Sequence, residues 1–194
     1  MARDPSTVVR LDRIYTRGGD QGRTSLGNGQ RVLKHALRIR AGGAIDEANA
    51  YIGIARLHVS QAADAMLARI QNDLFDAGAD LTTPARRGRR AGNLRISAAQ
   101  VQRLEGEIDE LNARLAPLTS FILPGGTSAS AHLHVARAIV RRAEVELSAL
   151  AARAVVRNEL LAYVNRLSDH LFVLARTEAA RAGGDVLWVP GANQ

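Results

Sequence analysis

At 194 residues, with 46% hydrophobic and 23% charged positions, the chain has the make-up of one substantial globular domain. It has no cysteine, which excludes disulfides and thiolate metal sites, and no apolar run near the roughly 18 residues of a membrane span. The formal net charge of +7 invites a nucleic-acid partner, yet Arg86, Arg87, Arg89, Arg90 and Arg95 crowd one Gly-containing segment that has no acidic residue. No aromatic residue lies there to stack on bases, so the basicity reads as a solvated loop, with no nucleic acid and no membrane as partner.

Residues 1–14 read as a loose leader without the apolar core of a secretion signal, and a soluble cytoplasmic protein is expected. From Tyr15 to Lys34 the sequence YTRGGDQGRTSLGNGQRVLK sets five glycines among polar residues, too many for a stable helix. Its Thr16, Thr24, Ser25, Arg17, Arg23 and Lys34 supply donors and cations, and its glycines let main-chain N–H groups converge on an anion. It is no Walker loop, lacking GK[ST] and a leading apolar strand, and taken alone it reads as a flexible tail. Lys34 is the only lysine of the chain.

A first helix is expected from about residue 34 to 60, with Ala41, Ile45, Ala48, Ile52, Ala55 and Val59 as its seam and Asp46 and Asn49 on a polar edge. A second, about 62–81, carries Leu67, Ile70, Leu74, Ala77 and Leu81. Ser97 then caps a third, whose seam is Val101, Leu104, Ile108, Leu111 and Leu115 and which Pro117 ends. After an apolar strip at Phe121 the chain turns at Pro124-Gly125-Gly126, and Thr127 and Ser128 suit the N-cap of a fourth helix. There Leu133, Ala136, Val140, Ala143, Leu147 and Leu150 form the seam, and Arg137, Arg141, Glu144 and Ser148 form a stripe beside it. The fifth, about 157–182, buries Leu160, Val164, Leu167, Leu171 and Leu174 and stops at Gly183-Gly184. Asn165, Asp169, Phe172 and Arg176 share one of its faces, with Arg166 and His170 outside it. The tail VLWVP is expected to add a short extended piece, and no strand pairs are expected elsewhere.

Five amphipathic helices with mostly short links predict an all-α fold, an up-and-down five-helix bundle of ferritin-like appearance with a Gly-rich N-terminal loop. It forms a single domain over 1–194, with the leader at 1–14, the arginine-rich loop at 84–96 and the tail at 183–194. HExxH, GxSxG and paired ExxH motifs are absent. His132 and His134, two apart on a helix, diverge and cannot share a metal, so both read as surface or satisfied histidines. What remains is an anion site scattered over the Gly-rich loop with Lys34, the Arg137, Arg141, Arg142 and Glu144 group, and the fifth-helix stripe. Arginine forks suit phosphate oxygens, so residue chemistry alone points to a bundle that binds a nucleoside triphosphate.

Five ordered segments carry a family resemblance: YTRGGDQGRTSL, IDEANAYIG, QNDLFDAGADL, FILPGGTSASAHLHVARAIVRRAE and YVNRLSDHLFVLAR. From about Tyr15 to Arg176 the chain resembles the PduO-type ATP:cob(I)alamin adenosyltransferases. It departs from their pattern at Ala48, a seam position where leucine is common. The resemblance implies trimers with active sites between subunits, where the 5′-deoxyadenosyl group of ATP passes to the cobalt of a reduced corrinoid and triphosphate leaves with Mg²⁺ present. Thr16, Arg17, Gly18, Gly19, Thr24, Ser25 and Lys34 would then form the ATP loop, completed by Arg141, Arg142, Glu144 and Asn165. Asp46 and Arg137 would pair across the subunit interface. Phe121 would sit under the corrin and displace its lower axial ligand, with Phe172 lining the same pocket. Arg137, Asp46, Arg141 and Phe121 are thus the implied catalytic set, and ATP would carry the Mg²⁺, close to Glu144. A reductase and an adenosylcobalamin-dependent acceptor enzyme are the implied protein partners. An ATP-gated corrinoid carrier or sensor on the same bundle, delivering adenosylcobalamin to that acceptor, is the alternative.

Overall fold

The computed structural model of the chain describes residues 14–83 and 94–193. Five helices dominate: α1 (Leu37–Arg56), α2 (Gln61–Thr82), α3 (Ala98–Asn112), α4 (Ser128–Ala151) and α5 (Asn158–Ala180). Glu47 of α1 pairs with Arg142 of α4 and Arg40 with Glu146, so the two helices run antiparallel. Glu105 and Glu107 of α3 meet Arg166 and His170 of α5, which makes that pair parallel. With α1 packed on α2 and α4, and α5 on α4 and α3, the bundle runs up-down-up-down-up. The N-termini of α1, α3 and α5 share one end. The long link from α3 to α4, with Phe121 on it, stays at the other.

The core follows the predicted seams. Leu133, Ala136, Val140, Ala143, Leu147 and Leu150 of α4 are all buried, as are Leu160, Val164, Leu167, Leu171 and Leu174 of α5. Each large aliphatic side chain contributes about 1.5–3 kcal/mol on burial. Ala41, Ala44, Ala48 and Ala55 of α1 face Ala136 and Ala143 of α4 in the same cluster, and their small side chains bring the helices close. Ala48, at 1% exposure, fits this close packing.

Three features differ from expectation. The Gly-rich segment contains a hairpin, β1 (Arg23–Ser25) antiparallel to β2 (Arg31–Leu33). An Asn-Gly turn makes it: Gly29 has φ 83°, the Gln30 N–H bonds Asn28 Oδ1 at 2.9 Å, and the Leu26 N–H bonds the Gln30 carbonyl at 2.9 Å. Because β2 runs to Leu33, α1 starts later than expected. It also ends earlier, since Ser60 turns away to cap α2, accepting from the Ala63 N–H. Finally, α3 stops at Asn112, leaving Leu115 beyond it and only half-buried.

Polar groups lock α2, α3 and α5 together. Buried Asp73 accepts from the Tyr163 hydroxyl at 2.8 Å, from Gln100 Nε2 at 2.8 Å and from Arg103. Glu107 bonds His170 Nε2 at 2.7 Å and Arg69 at 2.6 Å. His170, expected outside its seam, is fully buried, because α3 packs directly over that side of α5. Arg95, expected in a solvated loop, instead bonds Asp80 Oδ1 at 2.5 Å and the Thr83 carbonyl at 2.8 Å, capping the C-terminus of α2. The other four arginines of that loop lie outside the described residues. No described helix is long and apolar enough to cross a membrane.

Candidate active site

The stripe on α4 is the centre of the polar surface. Thr127 starts the helix by accepting from the Ser130 N–H at 3.0 Å, which sets the rotation that points Arg137, Arg141 and Glu144 along one edge. Glu144 Oε1 accepts from Asn165 Nδ2 at 2.7 Å, so two residues 21 apart in sequence become one group across the α4–α5 groove. Among the described residues neither Arg137 nor Arg141 has an ion-pair partner. Burial, and then the charge of Arg141, pushes the Arg137 guanidinium below its ordinary pKa, and its Nε is buried without an acceptor. Two unpaired cations side by side favour an arriving anion.

Arg142 stands apart from this stripe. Successive helix positions diverge by about 100°, and its guanidinium turns to Glu47 of α1. Asp46 lies on the far side of α1, lining a cavity of about 540 Å³ between α1 and α2 with Gly42, Gly43, Gly78 and Phe75. Asp46 and Arg137 therefore do not meet within one chain.

At the far end of the α4–α5 groove the surface becomes aromatic. Phe121 is 77% exposed on the link before α4. Its strip pairs with the tail: the Trp188 N–H bonds the Phe121 carbonyl at 2.7 Å, the Leu123 N–H bonds the Val186 carbonyl at 2.8 Å, and Ile122 bridges Leu187. This is the extended piece expected of VLWVP. Trp188 packs on Phe121 with ring centroids 5.9 Å apart. Beneath the strip, buried Arg176 donates to Asp185 at 3.0 Å and to the Ala116 carbonyl at 2.8 Å, tying tail and link to α5. Phe172 meets His134 edge to face at 6.1 Å.

The family model for cobalamin adenosyltransferase matches residues 14–178. The chain belongs to the cobalamin adenosyltransferase family. The corrinoid adenosyltransferase of Mycobacterium tuberculosis (strain ATCC 25618 / H37Rv) is 49% identical over 191 residues, 96% of this chain and 98% of the relative. That of Bacillus subtilis (strain 168) is 40% identical over 180 residues, 90% and 91% of the two chains. A variant of the PduO-type ATP:corrinoid adenosyltransferase from Lactobacillus reuteri, complexed with cobalamin and ATP, superposes with a TM-score of 0.84 at 35% identity, covering 91% of this chain and 99% of the other.

Within this cobalamin adenosyltransferase fold, the expected ATP loop is the hairpin region. Arg17 has φ 59°, and its guanidinium lies 5.7 Å from the Tyr15 ring centroid. A Cβ on Gly19 would come 3.0 Å from Lys34 Nζ, so the glycine gives the lysine room to lie across the loop. Thr24 pairs with Val32, and Ser25 with Arg31. Arg31, missed in the sequence, braces the loop through the Gly18 carbonyl at 2.6 Å and Ser25 Oγ at 3.3 Å. The hairpin docks through the Gly27 N–H on the Thr82 carbonyl at 2.8 Å, and among the described residues no hydrogen bond joins it to the α4 stripe.

His134 corrects the reading of it as a surface or satisfied histidine. It is 3% exposed, and neither ring nitrogen has a hydrogen-bond partner. A signal was present, since 134, 137, 141 and 144 continue the arginine stripe by one turn. His132, by contrast, stacks on His58 with centroids 4.4 Å apart.

Proposed function

We propose that the chain transfers the 5′-deoxyadenosyl group of ATP to the cobalt of cob(I)alamin, giving adenosylcobalamin and triphosphate. Beyond family membership, one observation carries this reading: the surface along α4 and α5 bears Arg137 and Arg141, without an ion-pair partner among the described residues, beside the Glu144–Asn165 pair, and exposed Phe121 and Trp188 toward its other end. A polyanion and a flat apolar macrocycle suit those two ends.

Cob(I)alamin brings its own nucleophile. Its cobalt electron pair forms the Co–C5′ bond while the C5′–O bond breaks and its electrons leave on triphosphate. No serine, cysteine or general base is required. The chain's work is to hold the partners in line, gather charge on the leaving group and keep water out. Arg141, Lys34 and the main chain of the Thr16–Gly19 and Thr24–Ser25 segments bind the phosphates, and Glu144 with Asn165 completes the nucleotide site. Phe121 takes the lower face of the corrin, with Phe172 beside it, and removal of the axial ligand eases formation of Co(I). The described residues contain no cluster of three or more His, Asp or Glu fit to hold a metal, so Mg²⁺ would ride on the ATP phosphates with Glu144 nearby. When bound it supplies charge screening to the triphosphate.

Among the described residues no hydrogen bond joins the ATP hairpin to the arginine stripe and no ion pair joins Asp46 to Arg137. Both facts support a homotrimer in which each site takes its loop and Asp46 from one subunit and its α4 stripe from another. The α1–α2 cavity, rimmed by Phe75 at 71% exposure, fits a second copy. Arg142 is then free to exchange Glu47 for phosphate. A soluble cytoplasmic setting, with a reductase upstream and an adenosylcobalamin-dependent enzyme downstream, completes the proposal.

The test is anaerobic mixing of the purified protein with ATP, Mg²⁺ and reduced cobalamin, followed by the corrin spectrum. Adenosylcobalamin with one triphosphate per turnover is expected. Bound corrinoid without a Co–C bond would replace the enzyme with a carrier.

A further inference from the structure

His134 carries two buried ring nitrogens that have no hydrogen-bond partner among the described residues. Buried polar atoms in folded proteins almost always have partners, and a side chain of similar size without polar atoms would fill this place at lower cost. Histidine here is therefore explained by a partner from outside the chain. Its location limits what that partner is. The ring stands edge to face with Phe172, one turn before Arg137, at the aromatic end of the α4–α5 groove. Phe172, the ring packed against the imidazole, is half-buried and shares its α5 face with Asn165.

The imidazole's charge state narrows the chemistry further. Burial, and then Arg137, push its pKa below the ordinary imidazole value, and the Asp185 carboxylate pulls weakly the other way. The ring is neutral at pH 7, with one N–H donor and one bare nitrogen acceptor. A phosphate would bring acceptors alone. A primary carboxamide brings one donor group and one acceptor, and such groups line the rim of a corrin. We propose that His134 is a substrate-binding residue of this enzyme, its two nitrogens taking a carboxamide of the corrin rim beside Phe172. This rests on the assignment of Phe121 and Phe172 to the corrin.

The experiment compares the full chain with His134→Phe, which keeps an edge-to-face ring and removes both nitrogens, and His134→Gln, which restores one donor and one acceptor. Thermal melting, subunit mass in solution and KM for ATP and for cob(I)alamin are measured on each, with Phe172→Ala as control. His134→Phe should melt no lower than the native chain and keep its mass and ATP KM. Its cobalamin KM should rise about tenfold, the loss of one hydrogen-bonded group. His134→Gln should recover most of that loss. An unchanged cobalamin KM in His134→Phe, with a raised one in Phe172→Ala, overturns the proposal alone. Unchanged values in both overturn the corrin assignment beneath it. A loss that appears in subunit mass or ATP KM instead gives His134 to the interface or the nucleotide.

Discussion

The Asp185–Arg176 pair gives the sharpest test of how the aromatic end is held. Its side chains are 14% and 7% exposed, and Asp185→Ala would leave the buried Arg176 guanidinium with only the Ala116 carbonyl. Removing one partner of a buried pair costs about 3–5 kcal/mol, and the remaining solvent access argues for about 3. The tail would then rest on two main-chain bonds to the Phe121 strip and the bond from Ser120 Oγ to the Trp188 carbonyl at 2.7 Å. At about 0.5–1.5 kcal/mol each, these nearly equal the loss. Detachment of the tail should thus become about 100-fold more frequent, since 1.4 kcal/mol is a factor of ten. Trp188 is the only tryptophan, so its fluorescence reports the tail directly. In urea, fluorescence and far-ultraviolet circular dichroism should change together in the native chain. In Asp185→Ala the fluorescence change should come first, and the cobalamin KM should rise while the ATP KM holds. Coincident transitions together with an unaltered cobalamin KM would refute the view that this pair stations Phe121.

Arg141→Ala, on an exposed edge, should leave melting unaffected and lower transfer at least 100-fold by analogy with loss of a charge-stabilising donor; normal turnover would remove it from the site. Gly19→Ala should move only the flexible end of Lys34, so stability should shift by no more than about 0.5 kcal/mol while the ATP KM rises, which steady-state kinetics and a melt would check together. Burial works to raise the Glu107 pKa, but hydrogen bonds from His170 and Arg69 outweigh it and hold the carboxyl below its ordinary value. Its folded pKa lies below the unfolded one, so its stabilisation is present above the unfolded value near pH 4.3 and is lost as pH falls through the folded value. Urea midpoints measured from pH 7 to 3 should fall along that limb, and Glu107→Gln should flatten it.

Helix number, helix order and the buried seams were readable in the amino-acid sequence because each depends on residues three or four apart. The Thr127 cap and the glycine stop at residue 183, where φ is 106°, are similarly local. The hairpin was also a local signal, in Asn28-Gly29, hidden by the number of glycines around it. Which side of α5 faces α3 was not readable, since His170 and Asp169 are neighbours in sequence and only packing decides that one is buried.

The site divides along the same line. Residue types, spacing and the order of five motifs were enough to identify the family and the stripe of Arg137, Arg141 and Glu144. Only the folded chain shows that Glu144 holds Asn165, that Arg142 turns away to Glu47, and that His134 lies buried beside Phe172 without a partner. Periodicity tells which face of a helix is apolar. It carries no information on which distant side chain will arrive opposite, because that depends on how whole helices pack and on where every buried polar atom finds, or fails to find, a partner.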